Sequence, residues 1–374
     1  MKTLIDFCCI TLLLSVAAMP TVNDLKVTPV SPWGMVLDYT VSGAEEGDGD
    51  MPLLVTLADR DKTYTAVNLT GAVKCENGLH RVCWNTAKDG ITAEIADGTV
   101  TVRYLPLLYC VVDLVDGADA ASYPVTYLTT LPPGGWTDEH KTAKLVLRRI
   151  PAGSFIMGED QTDESHRVTL TKSFYMGVFP VTQKQWKLVM GANPSNFKGD
   201  TRPVECVSYD MIRGSSDGAK WPVSDAVDAS SFLGRLRVRT GLAFDLPTEA
   251  QWEYACRAGT TTTYSYGDNA NGDYMWYADN SNSQTHDVGM QDPNPWGLYD
   301  LHGNVWEWCL DWYGNLAYGT DPKGLDSGSD RVIRGGSWYH PVSFSTSSSR
   351  GSYRPSQSIC FPDYGFRLAM PLSR

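Results

Sequence analysis

No Cys-x-x-Cys spacing occurs in this chain, which excludes a zinc ribbon and a thioredoxin-like redox pair. No His-x-x-x-His spacing occurs either. The six histidines, 80, 140, 166, 286, 302 and 340, are scattered, so the helical metal-binding pair is absent. There is no basic run, and the net charge is −12, which argues against nucleic acid as a partner. Beyond the N-terminus no apolar stretch approaches the ~20 residues that cross a bilayer as a helix. Charge itself is sparse, at 20% of residues, below the ~25% of an ordinary domain.

Glycine, tryptophan and tyrosine are plentiful instead, at 34, 12 and 19 residues. That mix points to a loop-rich fold with an aromatic core, not a helix bundle. A length of 374 residues exceeds one ordinary core and suggests about two domains.

Residues 1–18 read as a secretory signal. Lys2 supplies positive charge, Phe7 to Ala18 is apolar, and Val16-Ala17-Ala18 offers a cleavage site. The expected location is therefore secreted, periplasmic or at the cell surface. Cys8 and Cys9 lack a lipobox before them. The remaining cysteines are 75, 83, 110, 206, 256, 309 and 360. Their number is odd, so at least one is free or pairs between chains.

Residues 19–130 read as an all-β, immunoglobulin-like sandwich. Short runs such as Met35–Val41, Leu53–Leu57, His80–Trp84, Thr99–Leu105 and Leu108–Leu114 are rich in Val, Thr and Tyr and divided by Gly and Asp. This unit carries no catalytic constellation and reads as a spacer or adhesion module. Asn68-Leu69-Thr70 matches a glycosylation sequon, meaningful only in a eukaryotic secretory pathway. Leu131-Pro132-Pro133-Gly134-Gly135 opens a linker over 131–143. A second unit, α+β and loop-rich, runs from 144 to 374. Its helices are marked by capping boxes at Thr182–Gln185 and Thr248–Gln251, and by Ser224 before Ala229, Phe232, Leu233 and Leu236. From Thr260 onward no helical period persists.

Two motifs stand out in this second unit. Trp296 to Trp308 reads W-G-L-Y-D-L-H-G-N-V-W-E-W and places Asp300 and Glu307 on either side of a Gly-Asn turn. Acidic oxygens with turn carbonyls suit a hard cation such as calcium. Arg334 to Trp338 reads R-G-G-S-W and brings a Gly pair to a crowded backbone. Trp306, Trp308 and Trp312 read as core, Glu249 and Glu253 as helix-end and salt-bridge partners, and Arg334 and Arg367 as loop clamps.

From Leu145 on, the chain resembles the formylglycine-generating enzyme family, the sulfatase-modifying-factor domain. The matching runs are I-P-A-G-S-F-I-M-G (150–158), P-V-T-Q-K-Q-W (180–186), N-P-S-N-F (193–197), R-P-V-E-C-V-S-Y (202–209) and L-P-T-E-A-Q-W-E-Y-A-C-R-A-G-T (246–260). The two motifs above and G-F-R-L-A (365–369) complete the set. The resemblance implies a C-type-lectin-like fold. It also implies a structural calcium held by the side chains of Asp300 and Glu307 and the carbonyls of Gly303 and Val305. The family's oxidases convert a substrate cysteine to formylglycine with copper(I) and oxygen, through two cysteines shortly after G-G-S-W/Y. Soft thiolates select that metal. Here the two positions hold His340 and Ser345, while Ser337 of the pattern is kept. A related branch, the sulfoxide synthases of thiohistidine biosynthesis, needs a three-histidine iron site that this chain lacks.

The function read from this pattern is a secreted, calcium-stabilised binding or structural module without copper oxidase activity. It would bind a protein or glycan at an extracellular surface. The stretch Tyr339–Tyr364, rich in Ser, Tyr, Pro and Phe, suits adaptable recognition. The alternative is a formylglycine-generating oxidase or a related oxidoreductase. A further one is a retroelement-diversified ligand-binding protein, since family domains also serve as such display scaffolds.

Overall fold

The computed structural model describes residues 20–372, apart from 32–33, 46–47, 60–61, 68, 87, 90, 92–98, 160–164 and 357–359. The signal at 1–18 and Asn68 of the sequon lie outside the described residues. No helix among the described residues is long and apolar enough to cross a membrane.

The first unit is built from β1 (Thr21–Ser31), β2 (Gly34–Ser42), β3 (Leu53–Asp59), β4 (Lys62–Thr65), β5 (Leu69–Gly71), β6 (Gly78–Trp84) and β7 (Thr99–Tyr104). They form two sheets in the orders β1-β2-β6-β5 and β4-β3-β7. Period-2 alternation decides which face is covered. In β6, His80, Val82 and Trp84 are buried while Leu79, Arg81 and Cys83 face out. Leu37, Tyr39, Val55, Leu57 and Tyr104 close the core. The hydroxyls of Tyr39 and Tyr104 meet at 3.2 Å inside it, which satisfies two polar atoms that burial would otherwise penalise.

These orders match strands A-B-E-D and C′-C-F of an immunoglobulin-like sandwich. The strand expected to follow as G is β8 (Tyr109–Asp113), and it leaves the sandwich. It pairs antiparallel with β10 (Lys144–Ile150), and β9 (Val125–Leu128) pairs with β8 in turn. The sandwich boundary read at 130 is corrected by this pairing. The physical reason is burial on both faces. Tyr109, Cys110, Val111 and Val112 are all buried, and a strand apolar on both sides needs cover on both sides. The linker over 131–143 also carries a short helix, α1 (Glu139–Thr142). The two units meet through Arg149, 2.8 Å from Asp48, and through Tyr175, whose hydroxyl donates to the Leu107 carbonyl at 2.6 Å.

The second unit adds β11 (Gly153–Met157), β12 (His166–Leu170), β13 (Phe174–Gly177), α2 (Gln183–Met190), α3 (Tyr209–Arg213), α4 (Phe232–Thr240) and α5 (Glu249–Arg257). Then come β14 (Trp306–Trp312), β15 (Gly319–Thr320), β16 (Arg331–Arg334), β17 (Arg350–Tyr353), β18 (Tyr364–Gly365) and β19 (Ala369–Pro371). One sheet runs β19-β13-β10-β8-β9, and a second runs β17-β16-β14-β18. Both capping boxes form as read, at Thr182 and Thr248. The helix assigned to Ser224 starts later, with Ser231 as its cap. Asp228 explains the delay: its carboxylate accepts the backbone N–H groups of Ser216, Asp217 and Gly218 and pins the preceding segment as a loop. Trp186 of α2 stacks on Phe232 of α4 at 5.1 Å between centroids, and Phe366 closes the cluster.

Candidate functional site

The two motifs meet in space. Gly303 N–H donates to the Gly335 carbonyl at 2.7 Å, and Trp338 N–H donates to the Asn304 carbonyl at 3.0 Å. Neither turn tolerates a side chain at its tightest point. A Cβ on Gly303, at φ 102°, would lie 2.1 Å from the Trp276 carbonyl oxygen. One on Gly336, at φ 73°, would lie 2.5 Å from Ser345 Oγ.

Beneath these turns lies a buried charge network. Arg367 grips Glu307 with Nε and Nη2, each at 2.6 Å, and Trp252 Nε1 donates to the same carboxylate at 2.6 Å. Arg334 pairs with Glu253, which also accepts from Arg257 at 2.8 Å. Arg350 closes on Glu249 with bonds of 2.6 and 2.8 Å. Bidentate geometry of this kind fixes orientation as well as charge. The clamp role read for Arg334 and Arg367, and the salt-bridge role of Glu249 and Glu253, agree with these contacts. Trp306 and Trp308 are buried; Trp312 is half-buried beneath the Arg331 guanidinium.

Asp300 and Glu307 are both buried, but their surroundings differ. Asp300, at φ 57°, accepts Gly289 N–H at 2.7 Å on one oxygen and Asn304 Nδ2 at 3.2 Å on the other. Burial pushes its carboxyl up to about 6. Glu307 is already neutralised by Arg367. Its Oε2 takes two donors and its Oε1 one.

Above the network, the three positions singled out after the Gly pair separate. Ser337 and His340 come together: Ser337 Oγ lies 2.9 Å from His340 Nδ1. Trp306 Nε1–H donates to that same nitrogen at 3.2 Å, which assigns the ring proton to Nε2. A third partner, Asp363, had no signal in the sequence. Its Oδ2 accepts from Ser337 Oγ at 3.1 Å and lies 3.6 Å from His340 Nδ1. Burial pushes Asp363 up to about 6 and His340 down from its ordinary value. Serine and carboxylate therefore crowd one ring nitrogen. A nucleophilic triad needs them on opposite nitrogens, so this is an orienting cluster.

Ser345 joins no such cluster. Its Oγ is buried without a hydrogen-bond partner among the described residues, and its carbonyl accepts from His302 Nδ1 at 2.7 Å. His302 is thereby a structural histidine. Around His340 the exposed surface is aromatic, with Tyr339 66% and Phe344 42% accessible. A bond between Cys206 and Cys360, also unforeseen, ties the segment before Asp363 to the core.

Comparison with known proteins bears on this geometry. A family model of the sulfatase-modifying factor enzyme 1-like domain matches residues 137–372. The chaperone protein LppX of Paenibacillus barcinonensis is 31% identical over 279 residues, covering 62% of this chain and 91% of that protein. The formylglycine-generating enzyme of Streptomyces coelicolor is 35% identical over 145 residues, covering 33% of this chain and 46% of the enzyme. Among solved structures, Treponema denticola variable protein 1 aligns with a TM-score of 0.52 at 30% identity, over 61% of this chain and 96% of that one.

Proposed function

The chain belongs to the sulfatase-modifying factor enzyme 1-like family, and from that premise we propose that it is a ligand-binding member without copper-dependent cysteine oxidation. One observation carries this reading. Where the oxidases of the family place two thiols, this chain has His340, whose Nδ1 is taken by the Trp306 indole N–H, and Ser345, whose hydroxyl is buried. A hydroxyl is a hard, neutral donor and does not select copper(I).

The surface beside His340 supplies the binding face. Tyr339 and Phe344 offer rigid amphipathic area at small entropic cost, and the neighbouring serines offer adaptable hydrogen bonds. The proposed ligand is a polypeptide or glycan met outside the cytoplasm. LppX, named as a chaperone and matched over most of its length, supports a polypeptide. Likeness to a variable protein of Treponema denticola supports a second reading, in which 339–364 presents a variable recognition surface. Incubating the protein with copper(I), oxygen and a peptide bearing Cys-x-Pro-x-Arg tests the central claim. The peptide thiol is expected to survive unchanged by mass. Conversion to the aldehyde would overturn the reading and restore the oxidase alternative.

A structural calcium belongs to the same proposal. Each oxygen of Asp300 keeps acceptor capacity beyond its one N–H partner, as does Oε1 of Glu307. These hard oxygens fit calcium, and the carbonyls of Gly303 and Val305 would complete the set. The expected result is a lower melting temperature in chelator for wild type and no chelator effect for Asp300→Ala. A wild type indifferent to chelator sinks the ion.

A further inference from the structure

Cys206 and Cys360 are 154 residues apart in sequence and bonded in the fold, with Cα atoms 4.4 Å apart. A third group converges on them. Glu205 is fully buried; its Oε1 accepts Phe197 N–H at 2.8 Å, and its Oε2 has no hydrogen-bond partner among the described residues. A carboxylate oxygen of Glu205 and the two sulfur atoms all lie within 4.8 Å of one another.

A disulfide offers this orphaned oxygen no donor. Leaving a buried polar atom unsatisfied costs on the order of 1–3 kcal/mol, so the arrangement calls for a partner that the oxidised state does not provide. Two thiolates and a carboxylate are a mixed soft and hard donor set, which zinc accepts and which calcium or magnesium does not. Cys360 is exposed, so an ion has a path in. Cys206 and the Phe361 carbonyl are joined by a 3.2 Å hydrogen bond, which holds the two chain segments together independently of the sulfur bond.

We propose that, once the Cys206–Cys360 bond is reduced, the two cysteines and Glu205 form a binding site for a zinc-class divalent cation, with a fourth position open to water or an external ligand. The reductant is a dithiol. It passes two electrons to the sulfur–sulfur bond, becomes a disulfide itself and leaves two protein thiols. The cation then displaces a proton from each thiol to solvent. The site is separate from the His340 surface in its donors and does not depend on the ligand proposed there.

The test uses the full chain, reduced and freed of reductant without air, then given zinc and passed through a desalting column. Reduced wild type is expected to retain one equivalent and oxidised wild type none. Cys206→Ser with Cys360→Ser should retain none, whereas Cys83→Ser, which removes the one exposed free thiol among the described residues, should behave as wild type. Glu205→Gln keeps the side-chain shape and should weaken zinc about tenfold or more in competition with a chromogenic chelator. Cobalt substitution gives a readout independent of retention, since a thiolate-to-cobalt charge-transfer band should appear only in reduced protein. Retention by the double serine variant, or unchanged affinity in Glu205→Gln, would overturn the site.

Discussion

Arg367 and Glu307 are buried and close on each other through two hydrogen bonds of 2.6 Å, whereas the His340 side chain keeps 28% of its surface exposed while its Nδ1 faces Ser337 and Trp306. The two regions touch through Trp306, yet they answer to different constraints. In the first, every charge has a partner that cannot be replaced without stranding the other. In the second, a donor can change from sulfur to nitrogen or oxygen while the backbone turn beneath it stays. Family membership is thus carried by atoms other than those at the two positions after the Gly pair.

The largest effect should come from breaking the lower layer. Arg367→Leu leaves Glu307 buried with only Trp252 as a donor. Removing one partner of a buried pair costs about 3–5 kcal/mol, to be read as a lower urea midpoint at unchanged m-value. His340→Ala, in the upper layer, should stay within about 1 kcal/mol of wild type. Equal losses from both substitutions would erase the contrast.

A smaller effect sharpens the same contrast through pH. Asp311, at the far end of β14, accepts Glu249 N–H at 2.7 Å. Burial first, and then the Glu249 charge, push its carboxyl up to about 7 from the ordinary 3.8. The folded state therefore holds a proton that the unfolded state has lost. Its stabilising contribution is present at low pH and is lost as pH rises through about 7. Between pH 8 and pH 5 this group should add about 2–3 kcal/mol on acidification, at ~1.4 kcal/mol per unit. Asp311→Asn should remove that part of the slope in melting curves run across the range. An unchanged slope would mean that the buried layer does not hold this carboxyl protonated.

The lower layer was legible in the sequence to the degree that its signals are local. Both capping boxes read off Thr182 and Thr248 because the partners stand three residues apart. The Gly-Asn and Gly-Gly turns read off their own composition. Ser224 misled because Asp228, four residues on, captures three backbone N–H groups from the preceding loop. Tyr109–Asp113 was placed in the wrong unit because an unbroken apolar run does not say which sheet will cover it. Asp363 stands 26 residues from Ser337, and Cys360 stands 154 from Cys206. No periodicity links such pairs, so their meeting is set by the tertiary fold and leaves no local signal in the sequence.

The smallest perturbation of the fold is the most direct probe of the upper layer. His340→Cys combined with Ser345→Cys returns a thiol to each position where the family oxidases have one. The buried ion pairs are untouched, so stability should change by no more than about 1–2 kcal/mol, in the range of ordinary substitutions. Copper(I) affinity should nonetheless rise steeply, because two thiolates replace an imidazole already hydrogen-bonded and a hydroxyl without affinity for a soft ion. Competition with a copper(I) chelator measures the gain. If the double variant folds and still fails to bind copper(I), the retained turn does not hold the two positions as an oxidase would. The departure from the oxidases would then extend beyond the two missing thiols into the path of the backbone between Ser337 and Ser345.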